Sequence, residues 1–352
     1  MRIVPGVRRV GFWWYMAAGA VLLVTFAAIG LYRGSVPLDL ADVLAVLASR
    51  LLPGEYGPVD PQVETIVWSL RAPRVVVAAM VGGCLALAGA QMQGLFRNPL
   101  ASPGIVGTST GAAVGAVFAL TFGLAGAFLL AAPLFAVGGA LLSLLVVTRI
   151  ATRDGYTPVT TLLLAGVALN ALLGAVNSWL IARSWEQYEA ARQIAFWMMG
   201  GVADRSWEHV AMLLPGLVIG CVVAAWFARD LDLLLEGEEV AASLGVDIER
   251  AKRAVLWSAA LLTGSAVAVS GVVGFVGLVV PHLVRLLLGP VHRRLLPAAF
   301  LTGAWFVVGA DLLARTLAAP KEVHLGVVTA FVGAPFFLYL LVRHESEVAV
   351  SR

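Results

Sequence analysis

The sequence predicts an all-α, polytopic membrane protein with ten transmembrane helices, and three observations carry that expectation. Of 352 residues, 60% are hydrophobic and only 13% charged, against about 45–50% and about 25% in soluble domains. The mean hydropathy of +0.92 requires many apolar stretches able to cross a ~30 Å hydrocarbon core, each about 20 residues of helix. The apolar runs are continuous, as over residues 117–134, whereas a membrane barrel alternates apolar and polar residues along short segments. A soluble globular protein and a barrel are both excluded.

Cutting at charged or Pro/Gly-rich punctuation places the spans in order. The first, 11–32, follows Arg2, Arg8 and Arg9 and exceeds the 7–15-residue core of a cleaved signal peptide, so it is read as a retained span. Spans 65–95, 104–123 and 125–148 follow. The fifth, 159–182, carries Gly166, Asn170, Gly174 and Asn177 within about an 80° arc of the helix. That small, polar face admits two readings, helix–helix glue or the wall of a substrate pathway. The sixth and seventh spans are 209–228 and 254–270. In the eighth, 272–288, repeated glycines and Pro281 predict a kinked or broken helix. Asp311 and Arg315 stand four residues apart in the ninth, 296–316, the spacing of an ion pair. The tenth is 325–342. Two connections are long, 33–64 and 183–208, and the piece Ile194 to Met199 in the second is too short to span.

An even count puts both termini on one side, and that side's loops hold the larger share of the 24 Lys and Arg residues. The positive-inside bias therefore expects cytoplasmic termini. The arginines between apolar runs orient the chain in the lipid bilayer, so the net charge of +3 implies no nucleic-acid partner. Cys84 and Cys221 lie in apolar stretches, where a thiol behaves as a small hydrophobe.

Between the sixth and seventh spans, residues 233–254 read LLLEGEEVAASLGVDIERAKRA, a short docking helix. Glu238 and Glu239 suit a helix N-terminus and Gly245 its end. Val240, Ala241, Ala242 and Leu244 are expected to form a compact apolar surface that asks for a partner. Glycines followed by Lys and then Ser or Thr would cradle phosphate, yet Lys252 and Lys321 are followed by Arg and Glu. ATP is therefore expected on a separate subunit. No zinc motif occurs, and His282 has no second ligand at helical spacing. Gly107 to Gly111, GTSTG, matches a serine-hydrolase pattern built around Ser109, but it lies in an apolar helical run, where packing glycines are the stronger reading. A gradient-driven transporter would need buried carboxylates near the midplane, and only Asp311 comes close.

Several motifs, in order, resemble the permease subunits of ABC importers for ferric siderophores, haem and cobalamin. They are RAPR at 71–74, GGCLALAGAQMQGLFRNPLASPGIVGTSTGA at 82–112, WMMGG at 197–201, EEVAASLG at 238–245, GFVGLVVPHLVRLLLGPVHRRLLP at 274–297, GADLLAR at 309–315 and GAPFFLYLL at 333–341. The resemblance implies one ten-helix domain of the type II importer fold in the bacterial inner membrane. It implies pairing with a second copy, two cytoplasmic ATPases and a periplasmic substrate-binding protein. Glu238, Glu239, Ala241, Ala242, Leu244 and Gly245 then match the ATPase coupling helix. Arg71, Arg74 and Arg315 match arginines that receive the binding protein, while Gly166, Asn170, Gly174 and Asn177 become a channel wall.

Three departures from the family pattern bear on cargo. Arg33 precedes GS where the family more often has a small or apolar residue, Arg183 ends the polar fifth span, and His324 stands where the family usually has Pro. Arginines suit the carboxylates of haem and His324 suits iron, so haem is the expected cargo, with a ferric siderophore or cobalamin as alternatives. No cofactor is expected to reside in the chain.

Overall fold

The computed structural model describes residues 10–34, 36–54, 59–128, 130–185, 188–319 and 321–350; Arg2, Arg8 and Arg9, which precede the first expected span, fall outside them. The helices are α1 Phe12–Tyr32, α2 Leu40–Leu51, α3 Pro61–Glu64, α4 Ala72–Leu95, α5 Thr108–Thr121, α6 Leu124–Ala127, α7 Ala131–Ala151, α8 Val159–Ser184, α9 Tyr188–Met199, α10 Trp207–Trp226, α11 Ala228–Leu235, α12 Glu238–Ser243, α13 Ile248–Ser270, α14 Val276–Leu288, α15 His292–Thr316 and α16 Leu325–Val350. A π-helical stretch, Thr65–Arg71, joins α3 to α4, and a 3-10 turn, Pro103–Val106, precedes α5. Seven helical stretches are long and apolar enough to cross a membrane, and three shorter apolar helices, Thr108–Thr121, Val276–Leu288 and Leu325–Tyr339, accompany them. These ten correspond in order to the ten expected segments.

The centre of the bundle is α4. Its sequence is small and apolar on every side, the pattern of a helix with no solvent face, and nearly all of it is buried. Lipid offers no hydrophobic drive for helix association, so close backbone approach has to supply the packing. A Cβ on Gly82 would stand 2.0 Å from the Gly303 carbonyl oxygen of α15, and one on Gly89 would stand 1.8 Å from the Gly277 carbonyl oxygen of α14. That Gly277 carbonyl is the one Pro281 leaves without a helical donor.

The break expected from the repeated glycines and Pro281 exists, at the glycine-bearing residues 271–275 between α13 and α14, while Pro281 stays inside α14. Gly271 turns the chain there with φ +65°, and a side chain on it would meet the Trp197 carbonyl at 2.1 Å. The freed backbone groups find protein partners, as they must inside a membrane: Gly201 N–H donates to the Ser270 carbonyl at 2.7 Å, and Leu325 N–H to the Gly200 carbonyl at 3.1 Å. The ends of α9 and α13 and the start of α16 are stitched into one knot. The apolar run 117–134 is divided, as the spans 104–123 and 125–148 expect: α5 stops at Thr121, and α7 begins at Ala131. The short piece Ile194 to Met199 belongs to α9, whose Ile194 packs with Val117 and Leu180.

With 25 residues, α15 is about 37 Å long and separates two clusters of charged residues, around Asp311 at one end and His292 at the other. Helix α4 runs alongside, with Arg74 at the first cluster and Gly94 against the His292 ring at the second.

Gly82→Ala should destabilise the protein by about 3 kcal/mol or more, because the new methyl meets backbone. Gly138→Ala, where nothing lies within 4 Å, should stay within about 1 kcal/mol. Thermal unfolding of both variants in the same detergent checks the contrast.

Candidate functional site

The three arginines expected to face a binding protein come together at one end of the bundle. Arg71 is only 6% exposed. Its guanidinium donates to the carbonyls of Leu31 and Tyr32 at 2.8 and 2.6 Å, and to that of Val36. Arg315 donates to the Gly30 carbonyl at 3.2 Å. Together they satisfy the orphan carbonyls that every helix C-terminus leaves, here those of α1. Asp311, whose side chain is 2% exposed, accepts from Arg74 at 2.8 Å and pairs with Arg315 at 3.0 Å. Arg74 also reaches Glu322 at 2.9 Å. The expected Asp311–Arg315 pair exists, and α4 supplies the second cation across 237 residues of sequence.

At the opposite end, α12 carries the docking segment. Glu238 and Glu239 occupy its first turn and Gly245 follows it with φ +85°, as expected of a helix start and stop. The apolar surface differs in composition. Ala241 is fully buried, whereas Val240, Ala242 and Leu244 are exposed beside Glu239. Val240 and Leu244 are one turn apart and share a face. Glu238 is committed to the fold, since Lys252 donates to it at 2.8 Å, to Glu249 at 3.2 Å and to the Thr157 carbonyl at 3.1 Å. Lys252 is 3% exposed and lies over the Tyr156 ring. This buried ammonium ties α12, α13 and the turn after α7 together.

The expected pathway residues take separate places. Asn170 donates to the Gly104 and Ile105 carbonyls at 2.9 and 3.2 Å and accepts from Thr110 at 2.6 Å. A side chain on Gly166 would stand 2.3 Å from the Ile105 carbonyl oxygen. Buried Asn177 donates to the Met198 sulfur at 3.8 Å, and Gly174 has open space. Within this chain Gly166, Asn170 and Asn177 hold α8 to its neighbours. Arg33 and Arg183 are exposed at the ends of α1 and α8. In the GTSTG stretch, Gly107 is a left-handed turn residue, and Gly111 abuts the Gly139 carbonyl of α7, the packing role expected of it.

An open cavity of about 580 Å³ lies beside the knot, walled by Met198, Met199, Val272, Gly274, Gly326, Phe331 and Pro335 among others. None of the seven expected pathway residues lines it; His324 precedes the wall residue Gly326 by two positions. The His324 ring packs on Phe196, centroids 5.0 Å apart. Arg192 lies over the same Phe196 ring at 5.8 Å and pairs with Glu189 at 2.9 Å. Its hydrogen bond and charge hold the Glu189 carboxyl below the usual carboxylate range.

Sequence reasoning missed four participants. The i,i+3 spacing of Glu249 and Lys252 was the one readable signal for the ammonium hub. The Glu322–Arg74 contact, the His292–Asp232 hydrogen bond at 2.8 Å and the Arg205 bond to the Val269 carbonyl join residues too far apart in sequence to be read as pairs. Burial lowers the Arg205 pKa, against the pull of Asp204.

Residues 21–343 match the family model described as the FecCD transport family. The chain is 44% identical over 327 residues to the cobalamin import system permease protein BtuC of Halobacterium salinarum, covering 93% of this chain and 85% of the relative. It is 44% identical over 286 residues to the hemin transport system permease protein HmuU of Yersinia pestis, covering 80% and 84%. A solved structure of an inward-facing ABC transporter assigned to the metal-chelate type superposes with a TM-score of 0.81 at 31% identity, covering 93% of this chain and 98% of that one.

Removing Asp311 takes the shared buried carboxylate from two guanidiniums, of which Arg74 keeps Glu322 and Arg315 keeps the Gly30 carbonyl, so Asp311→Ala should cost about 3 kcal/mol. Glu322→Ala, at a side chain 43% exposed, should cost about 1 kcal/mol or less. Equilibrium unfolding in mixed micelles separates the two.

Proposed function

We infer the function from one premise: the chain belongs to the FecCD transport family, and is therefore a membrane-embedded permease subunit of an ABC importer. Such permeases work with ATPase subunits and a substrate-binding protein. Our reading is that this one carries haem from a periplasmic binding protein, across the bacterial inner membrane, into the cytoplasm. The observation that carries the reading is the apolar cavity beside a broken helix, since irregular backbone at membrane depth is tolerated where it is buried or lines a cavity. Its volume of about 580 Å³ falls in the range that holds small-molecule ligands. His324, two residues before the wall residue Gly326, has the donor chemistry that suits haem iron.

Both termini and α12 face the cytoplasm in this reading, which puts the Asp311 cluster and the cavity mouth on the periplasmic side. The exposed Val240–Leu244 ridge and Glu239 dock into the ATPase; Glu238 and Ala241 hold the ridge to the bundle. Arg71, Arg74 and Arg315 build the platform under the binding protein, with Arg33 and Arg183 exposed around it. Two copies pair, with Gly174 on the pathway side of α8, and alternate between outward and inward openings by rigid-body movement. Cobalamin is the second reading, favoured by the named Halobacterium relative and by walls that carry no charged side chain.

Vesicles holding the permease and its ATPase, offered a binding protein loaded with haem, cobalamin or a ferric siderophore, test the cargo. Haem should stimulate ATP hydrolysis and uptake, and stimulation by cobalamin alone would overturn the haem reading. Leu244→Glu, which places charge on the exposed ridge, should weaken ATPase association about tenfold while the isolated permease unfolds as before. Co-purification of the two subunits reads this out.

A further inference from the structure

The cavity walls are apolar, so discrimination among cargoes has to come from polar groups next to them. Three side chains form a strip on elements that also wall the cavity: Arg192 and Phe196 on α9, which continues into Met198 and Met199, and His324 two residues before Gly326 of α16. Phe196 is 50% exposed and separates a guanidinium 5.8 Å from its centroid from an imidazole ring 5.0 Å away. None of the hydrogen bonds among the described residues reaches the ring nitrogens of His324. Both polar ends of the strip are thus open to a ligand, apart from the exposed Glu189 carboxylate that holds Arg192.

We propose that Arg192, Phe196 and His324 form a receiving site beside the cavity for a flat, metal-bearing macrocycle with carboxylate groups. Arg192 takes a carboxylate by charge-assisted hydrogen bonds, Phe196 contacts the ring, and His324 offers a nitrogen to the metal. Glu189 competes with the carboxylate for Arg192, so it sets the affinity of the site and eases release inward. The site deepens the haem reading and rests on it.

The full-length permease in lipid nanodiscs, titrated with ferric haem, haem dimethyl ester and metal-free protoporphyrin, tests the assignment through absorbance shifts and quenching. Arg192→Ala should weaken ferric haem about tenfold and leave the dimethyl ester, whose carboxylates are blocked, unchanged. His324→Ala should abolish the haem absorbance shift without altering protoporphyrin binding. Glu189→Gln, which frees the guanidinium, should tighten haem binding, a gain that damage to the fold would not produce. If the wild type binds haem and all three variants bind it equally well, the receiving site is wrong and the haem reading stands. If the wild type binds no haem while cobalamin drives uptake in vesicles, the haem reading fails and the site falls with it.

Discussion

Helices in lipid gain nothing by hiding apolar surface from one another, and the architecture rests on the alternative, contact between backbones. Helix α4 is where this matters most. Gly82 and Gly89 meet carbonyl oxygens of α15 and α14 at separations that leave no room for a methyl group. Dispersion contacts and the removal of lipid chains from the seam then replace the hydrophobic drive of a soluble core. A helix with so little bulk becomes the axis around which longer and bulkier helices settle, and its position fixes both ends of the bundle.

At those ends the problem is charge. The Asp311 carboxylate sits between two guanidiniums while α1's last carbonyls consume Arg71 and part of Arg315. At the other end Lys252 gathers two carboxylates and a carbonyl. Asp311 and Lys252 each have partners, as burial demands, and each cluster ties helices that are distant in sequence. A platform and a docking ridge held this firmly can move as rigid pieces, which suits a machine driven from one end that opens at the other.

A third element of the architecture is the knot of α9, α13 and α16. Breaking a helix within a membrane releases carbonyls and amides that lipid cannot satisfy. Here they pair with each other across three elements, through Gly200, Gly201, Gly271 and Leu325. The cavity lies against this arrangement: the break itself supplies Val272 and Gly274 to its wall, and α9 and α16 supply Met198, Met199, Gly326 and Phe331.

Hydropathy, glycine content and charge placement determined by themselves that ten apolar helices would form, that a short acidic helix would lie between two of them, and that Asp311 would pair with Arg315. Those are local properties, set by runs of apolar residues and by three- or four-residue spacings. Only the tertiary structure decided that Arg74 completes the Asp311 cluster, that Ala241 turns inward while Val240 and Leu244 stay exposed, and that the polar face of α8 grips its own neighbours. The strip of Arg192, Phe196 and His324 was equally hidden, whereas the broken helix after α13 was expected from its glycines and Pro281. Each hidden feature depends on which helices touch, and a one-dimensional pattern of polarity holds no measure of the distance between residues far apart in sequence.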